Sequence, residues 1–223
     1  MTTNKLALFL TLMLTGTLVL SSCANWSNTA KGTVIGSGAG AAAGAVIGKT
    51  LGSTAGGAIA GAAVGGTVGA IIGRNMDRKA REMEEEMEGV TIQRVEEGIA
   101  VSFDSGILFS FDSAALRQES INNLQKLTEI INRDDNTILL IVGHTDSVGD
   151  EMYNLGLSER RAQSAANYMI EQGLAPSRVE IEGRGEYEPI ADNDTDAGRQ
   201  ENRRVEVAIY ASPEYVEQLQ AAN

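Results

Sequence analysis

Thr137-Ile138-Leu139-Leu140-Ile141-Val142-Gly143-His144-Thr145-Asp146 opens the stretch whose reading decides the fold. Residues 137–142 form an unbroken apolar run of strand length, which predicts a buried strand. A short polar loop follows and holds Asp146. Residues 150–172 then place Leu157, Ala162, Ala165 and Met169 at helical spacing and stop at Gly173, which predicts a helix. Asn154, Ser158 and Arg161 fall at i, i+4 and i+7, one stripe of that helix. A carboxylate in the strand-end loop and a guanidinium on the adjoining helix can face each other across a small cleft. On these residues alone, Asp146 and Arg161 read either as a ligand site or as an internal salt bridge.

Outward from this unit, residues 90–95 and 99–103 flank Glu96-Glu97-Gly98 and read as a β-hairpin. Residues 107–111 read as extended. Residues 116–132 carry Leu116, Ile121, Leu124, Leu127 and Ile131 on one helical face. Residues 179–182 and 204–210 read as strands, the latter alternating Val205, Val207 and Ile209. The pattern predicts an α+β fold over residues 90–212, with two helices packed on a mixed sheet. A tail at 213–223 follows, with a short helix after Pro213.

Charge divides the chain in two. All 30 acidic residues follow Gly73, whereas only Lys5, Lys31 and Lys49 of the 18 basic ones precede it. The first part faces an apolar solvent and the second an aqueous one. The acidic surplus of the second part argues against nucleic acid, which is bound through clustered Lys and Arg. Cys23 is the single cysteine, so no disulfide forms within the chain and no zinc site is supplied.

Residues 1–22 have one early charge, Lys5, an apolar run over 6–20 and small residues before Cys23, which describes a secretory signal peptide. Leu20-Ser21-Ser22-Cys23 resembles the lipobox of bacterial lipoproteins, implying cleavage before Cys23 and lipid on its sulfur and new amino terminus. Residues 23–31 would be a lipidated linker. Acyl chains contribute roughly 0.8 kcal/mol per buried methylene, so the lipid bilayer is an expected partner. Ala24, where the enteric sorting rule looks for Asp, points to the outer membrane.

Residues 32–73 hold a glycine ladder. Gly36, Gly40, Gly44, Gly48, Gly52 and Gly56 are four apart; the phase slips by one, and Gly57, Gly61, Gly65, Gly69 and Gly73 continue. On a helix this places small residues on one drifting face where backbones approach closely. The segment resembles a glycine zipper. The favoured expectation is a helical membrane hairpin with arms at 33–48 and 53–73. A flexible linker and a surface-lying or homo-oligomerising segment are the alternatives. Arg74, Arg78, Lys79 and Arg81 would then meet headgroups, and residues 74–89 would form a charged, solvated spacer helix.

Gly143-His144-Thr145-Asp146, Tyr153-Asn154, Leu157-Ser158, Arg161-Ala162 and Asn202-Arg203-Arg204-Val205-Glu206, with Phe109-Ser110-Phe111-Asp112-Ser113 upstream, resemble the OmpA-like (OmpA/MotB/Pal) peptidoglycan-binding domain. The resemblance implies an OmpA-like β/α/β/α/β domain, without catalysis, that anchors a membrane to peptidoglycan from the periplasm. It implies that Asp146 takes the ammonium and Arg161 the carboxylate of diaminopimelate in the stem peptide. Thr145, Asn154, Leu157, Asn202 and Arg203 would complete the site. Leu108-Phe109-Ser110-Phe111 departs from the family pattern, where an acidic or polar residue often separates the aromatics.

No cofactor or metal is expected. His144, the single histidine, has neither a plausible Ser nor a free Cys nucleophile beside it, so a structural or rim role is favoured over a general base. Asp192-Asn193-Asp194-Thr195-Asp196 resembles the start of a calcium loop, but Ala197 and Arg203 stand where an EF-hand needs Gly and Glu. A polar turn is the expectation there.

Overall fold

The computed structural model describes residues 53–110 and 113–222. The signal peptide, Cys23, the first glycine arm (33–48), Phe111 and Asp112 lie outside the described residues. The helices are α1 (Thr54–Ala62), α2 (Gly66–Glu86), α3 (Ser105–Leu108), α4 (Gln118–Ile131), α5 (Glu151–Glu171), α6 (Asp196–Asn202) and α7 (Pro213–Ala221). The strands are β1 (Val90–Val95), β2 (Gly98–Asp104), β3 (Thr137–Gly143), β4 (Val179–Gly183) and β5 (Arg204–Ala211). They form one mixed sheet in the order β1-β2-β5-β3-β4, with β3 and β4 parallel and the other neighbours antiparallel. This is the α+β architecture expected.

Alternation along the central strands sorts the core into two layers. Val205, Val207 and Ile209 of β5 and Leu139 and Ile141 of β3 face the helices. There they meet Leu124, Leu127, Ile130 and Ile131 of α4 and Ala162, Ala165, Ala166 and Met169 of α5. The alanines let α5 lie close to the sheet. At Gly143 the approach is closest, since a Cβ there would stand 2.0 Å from the Ser158 carbonyl oxygen. The end of β3 therefore meets α5 backbone to backbone, which fixes the loop between them.

On the other face, Ile138, Leu140 and Val142 of β3 and Ala208 and Tyr210 of β5 pack against Ala55, Ala58 and Ile59 of α1. This is why β3 is apolar at successive positions: both of its faces are covered.

The glycine-rich segment departs from expectation. The second arm (53–73) is not one helix, because it breaks at Ala63-Val64-Gly65. No helix among the described residues is long and apolar enough to cross a membrane. Nor does α2 respect the boundary at 73/74. Its buried residues Val68, Ile72, Met76, Ala80 and Met83 make one stripe running from the glycine ladder through the charged segment, and they join the core. The spacer is therefore packed rather than free. Gly69 is buried where its Cβ would fall 1.9 Å from the Glu97 carboxylate, so this ladder glycine serves contact with the β1–β2 turn. Lys79, expected at headgroups, is 6% exposed and pairs with Asp134 at 2.8 Å.

Two smaller corrections concern the site. Of residues 107–111, expected to be extended, the described ones (107–110) form no strand. Asp104 accepts the Gly106 N–H at 2.6 Å and starts the single turn α3, leaving Phe109 as an isolated bridge to Leu116. The polar turn expected at the acidic stretch is there at 193–195, but residues 196–202, for which no element was expected, form α6, capped by Thr195 Oγ1 accepting from Gly198 N–H at 3.0 Å.

Candidate functional site

The site forms where the parallel strands end. The β3–α5 loop (144–150), the start of α5, the segment after β4 and the α6–β5 junction converge there. Asp150 caps α5 by accepting the N–H groups of Met152 and Tyr153 at 3.0 and 3.1 Å. Asp146 has 13% of its side chain exposed. Its Oδ1 accepts from Val148 N–H at 3.1 Å, and its Oδ2 is paired with Arg203 Nη1 at 2.5 Å. The Arg203 guanidinium also bonds Gln200 and is one-third exposed.

Asn154 ties the loop down. Its amide nitrogen donates to the carbonyls of Asp146 (3.3 Å) and Val148 (3.2 Å) and to Glu186 Oε2 (2.8 Å). Thr145 N–H donates to the Gly185 carbonyl at 2.9 Å, while its buried hydroxyl has no hydrogen-bond partner among the described residues. Ser158 Oγ accepts from Gly185 N–H at 2.8 Å. Arg161 lies on the same α5 stripe as Asn154 and Ser158, and is 5% exposed. Its Nε donates to the Ser113 carbonyl at 3.1 Å, and its guanidinium sits 5.4 Å from the Phe109 ring centre. Leu157 is buried on that helix. Arg160 is exposed over the Tyr153 ring, away from this stripe.

The structure thus brings Asp146, Thr145, Asn154 and Arg203 together, with Leu157 and Arg161 further along the α5 stripe. The salt-bridge alternative takes an unexpected form: the cation on Asp146 is Arg203. Asn202 departs from its expected place. It is wholly buried, its Oδ1 accepting from Ile190 and Ala191 N–H at 2.8 and 3.0 Å and its Nδ2 donating to Ala191 O and Asn193 Oδ1 at 2.9 and 2.8 Å. With every polar valence used, it supports the loop from beneath rather than facing a ligand. Glu186, which holds Asn154, was absent from the sequence reading; its spacing carries no signal, because its role depends on β4 pairing beside β3.

His144 is fully buried. Burial, then the charges of Arg204 and Arg184, hold its imidazole well below the usual pKa, so it is neutral near pH 7. Among the described residues neither ring nitrogen has a hydrogen-bond partner, and Nε2 stands 3.9 Å from Glu206, whose carboxylate is engaged by Arg204 at 2.6 Å. A ring sealed in this way has no access to a substrate. In the acidic turn, Asp192 Oδ1 accepts from Asp194 N–H at 3.0 Å and Asp196 pairs with Arg199, so these carboxylates serve the turn and α6.

A five-stranded mixed sheet with α4 and α5 on one face and a polar site at the β3–α5 loop defines the OmpA-like class of domain. Residues 108–203 match the OmpA family, and residues 1–77 match the YMGG-like Gly-zipper. Outer membrane protein A of Bordetella avium is 41% identical over 112 residues, covering 50% of this chain and 58% of that protein. The outer-membrane lipoprotein YfiB of Pseudomonas aeruginosa is 40% identical over 116 residues, covering 52% of this chain and 69% of YfiB. The cell wall anchor of the T6SS from Pseudomonas aeruginosa superposes with a TM-score of 0.54 at 29% identity, covering 61% of this chain and 99% of that one. The chain belongs to the OmpA family. Like its relatives, it carries further sequence outside the shared domain, and it spans little more than half of the Bordetella protein.

Proposed function

We propose that this protein grips peptidoglycan non-covalently and so ties a membrane, the outer one, to the cell wall. Lipid at Cys23 would hold one end and the folded domain, which begins within the glycine ladder, the other, within the periplasm. The ligand is the diaminopimelate side chain of the stem peptide, which ends in one ammonium and one carboxylate. Asp146 receives the ammonium, and Arg161 receives the carboxylate through its planar fork. Thr145 and Asn154 hold the loop that presents Asp146, and Leu157 packs beside it.

One observation carries this reading. Asp146 is a mostly enclosed carboxylate already occupied by a cation, the Arg203 guanidinium at 2.5 Å, and Arg203 is exposed enough to withdraw. The spot accepts positive charge, and a ligand ammonium takes it in exchange. A solved relative named as a cell wall anchor supports the same partner. The function is binding without turnover.

The test is sedimentation of the purified full chain with insoluble sacculi. Removing either member of the pair leaves half of a zwitterion unpaired in a partly dried pocket, at a cost of about 2–5 kcal/mol. Asp146→Ala and Arg161→Ala are expected to stay folded and remain in the supernatant. Undiminished co-sedimentation of both variants would overturn the pocket. Soluble muropeptides released by the wild type, read by mass spectrometry, would overturn binding without turnover.

A further inference from the structure

The outer face of the sheet is apolar, and its cover is α1, part of the glycine ladder. With sequence TAGGAIAGA, this nine-residue helix contains three glycines, each costing roughly 1 kcal/mol of helix propensity, and it is short for an isolated helix. It therefore depends on what it touches. Beyond Ala55, Ala58 and Ile59, two carboxylates clamp its ends. At the start, Thr54 N–H donates to Glu188 Oε2 at 2.9 Å and Thr54 Oγ1 to Glu188 Oε1 at 2.5 Å. At the end, the N–H groups of Val64 and Gly65 donate to the Glu97 carboxylate at 2.7 and 2.8 Å. Gly65 and Gly66, at φ 71 and 64, form the turn into α2, a conformation that L side chains rarely adopt.

Glu188 ends a segment, 184–188, that is also tied to the candidate pocket. Arg184 N–H donates to Gly143 O at 2.9 Å, and Gly185 N–H donates to Ser158 Oγ at 2.8 Å. Gly185 O accepts from Thr145 N–H at 2.9 Å, and Glu186 accepts from Asn154 at 2.8 Å. The Tyr187 hydroxyl donates to Glu151, at the start of α5. One five-residue segment thus touches the strand, loop and helix of the pocket and, through Glu188, the strap on the opposite face.

We propose that the α1 strap and the pocket are linked through residues 184–188, so that a docked strap strengthens wall binding and a bound wall fragment tightens the strap. The proposal rests on the wall-binding reading above and adds regulation to it. The physical route is preorganisation: with Glu188 clamped, Glu186 and Gly185 hold Asn154 and Thr145 where the ligand needs them, and linkage makes the effect reciprocal. Because α1 lies nearest the N-terminal part of the chain, a pull from that side peels the strap first and loosens the grip.

The experiment uses the full chain in detergent micelles with a soluble diaminopimelate-containing muropeptide as probe. Ile59→Asp ejects α1 from the sheet. Glu97→Ala frees its far end without touching the apolar core or the pocket, and carries the test if Ile59→Asp does not fold. Both variants are expected to exchange the amides of 184–188 faster and to bind the muropeptide about fivefold more weakly, a typical size for coupling between sites. Saturating muropeptide should slow amide exchange across 54–62 of the wild type. Unchanged exchange in 184–188, or unchanged affinity while the α1 amides exchange freely, would overturn the link. A wild type that binds no muropeptide would instead overturn the pocket and its coupling. The strap's hold on 184–188 would still be decided by ligand-free exchange.

Discussion

Replacing Ile59 by alanine separates a strap packed on the sheet from a segment held in lipid. Ile59 is 1% exposed and packs among Ile138, Leu140, Val142, Ala208 and Tyr210. The substitution removes three carbons, worth about 2.4 kcal/mol at ~0.8 kcal/mol each, before any cavity penalty. Isoleucine-to-alanine changes in cores cost about 2–5 kcal/mol, so the lower half of that range suits a helix at the edge of the structure. For a chain of this size, 2.4 kcal/mol lowers the melting temperature by about 5–10 °C. Thermal unfolding of the full chain in micelles, followed by circular dichroism, reads the change, with the exposed Val64→Ala as control. An Ile59→Ala melting temperature equal to that of Val64→Ala would refute the packing of α1 on the domain.

Two further predictions concern buried charge. Because burial and two arginines depress the folded-state pKa of His144, the unfolded chain binds more protons as pH falls below about 6.5. Its contribution to stability is therefore present above that pH and lost below it. Denaturant unfolding should show wild type losing stability from about pH 6.5 downward more steeply than His144→Gln; parallel curves would contradict this. For Lys79, Asp134→Ala leaves an ammonium buried without its carboxylate and should cost about 1–3 kcal/mol in the same assay. No change in midpoint would mean that Lys79 finds another partner.

Much of the sheet was legible because its signals are local. The β1–β2 hairpin surrounds its turn residues, β5 alternates Val205, Val207 and Ile209, and α5 runs from the Asp150 cap almost to Gly173. The glycine segment misled because composition changes at Gly73 while packing does not. The buried stripe from Val68 to Met83 keeps helical spacing across that point, and following it would have found α2. Residues 107–111 looked extended because the Asp104 cap that starts α3 is a single side-chain bond, invisible to periodicity. In the site, the strand–loop–helix unit placed Asp146, Asn154 and Arg161 correctly on their elements. The Asp146–Arg203 pair joins residues 57 apart. It depends on α6 delivering the start of β5 to the β3 loop, a tertiary fact with no local trace. Asn202 carries the same lesson: a polar residue in a recognition motif can be spent entirely on holding a loop.

The most direct test of the central claim compares two soluble stem peptides that differ at one residue, diaminopimelate or lysine, by calorimetric titration of the full chain. Lysine keeps the ammonium for Asp146 but lacks the carboxylate for Arg161. The account predicts saturable binding of the diaminopimelate peptide and a loss of about 2–5 kcal/mol, at least tenfold in affinity, for the lysine peptide. Equal affinity for the two peptides would contradict it.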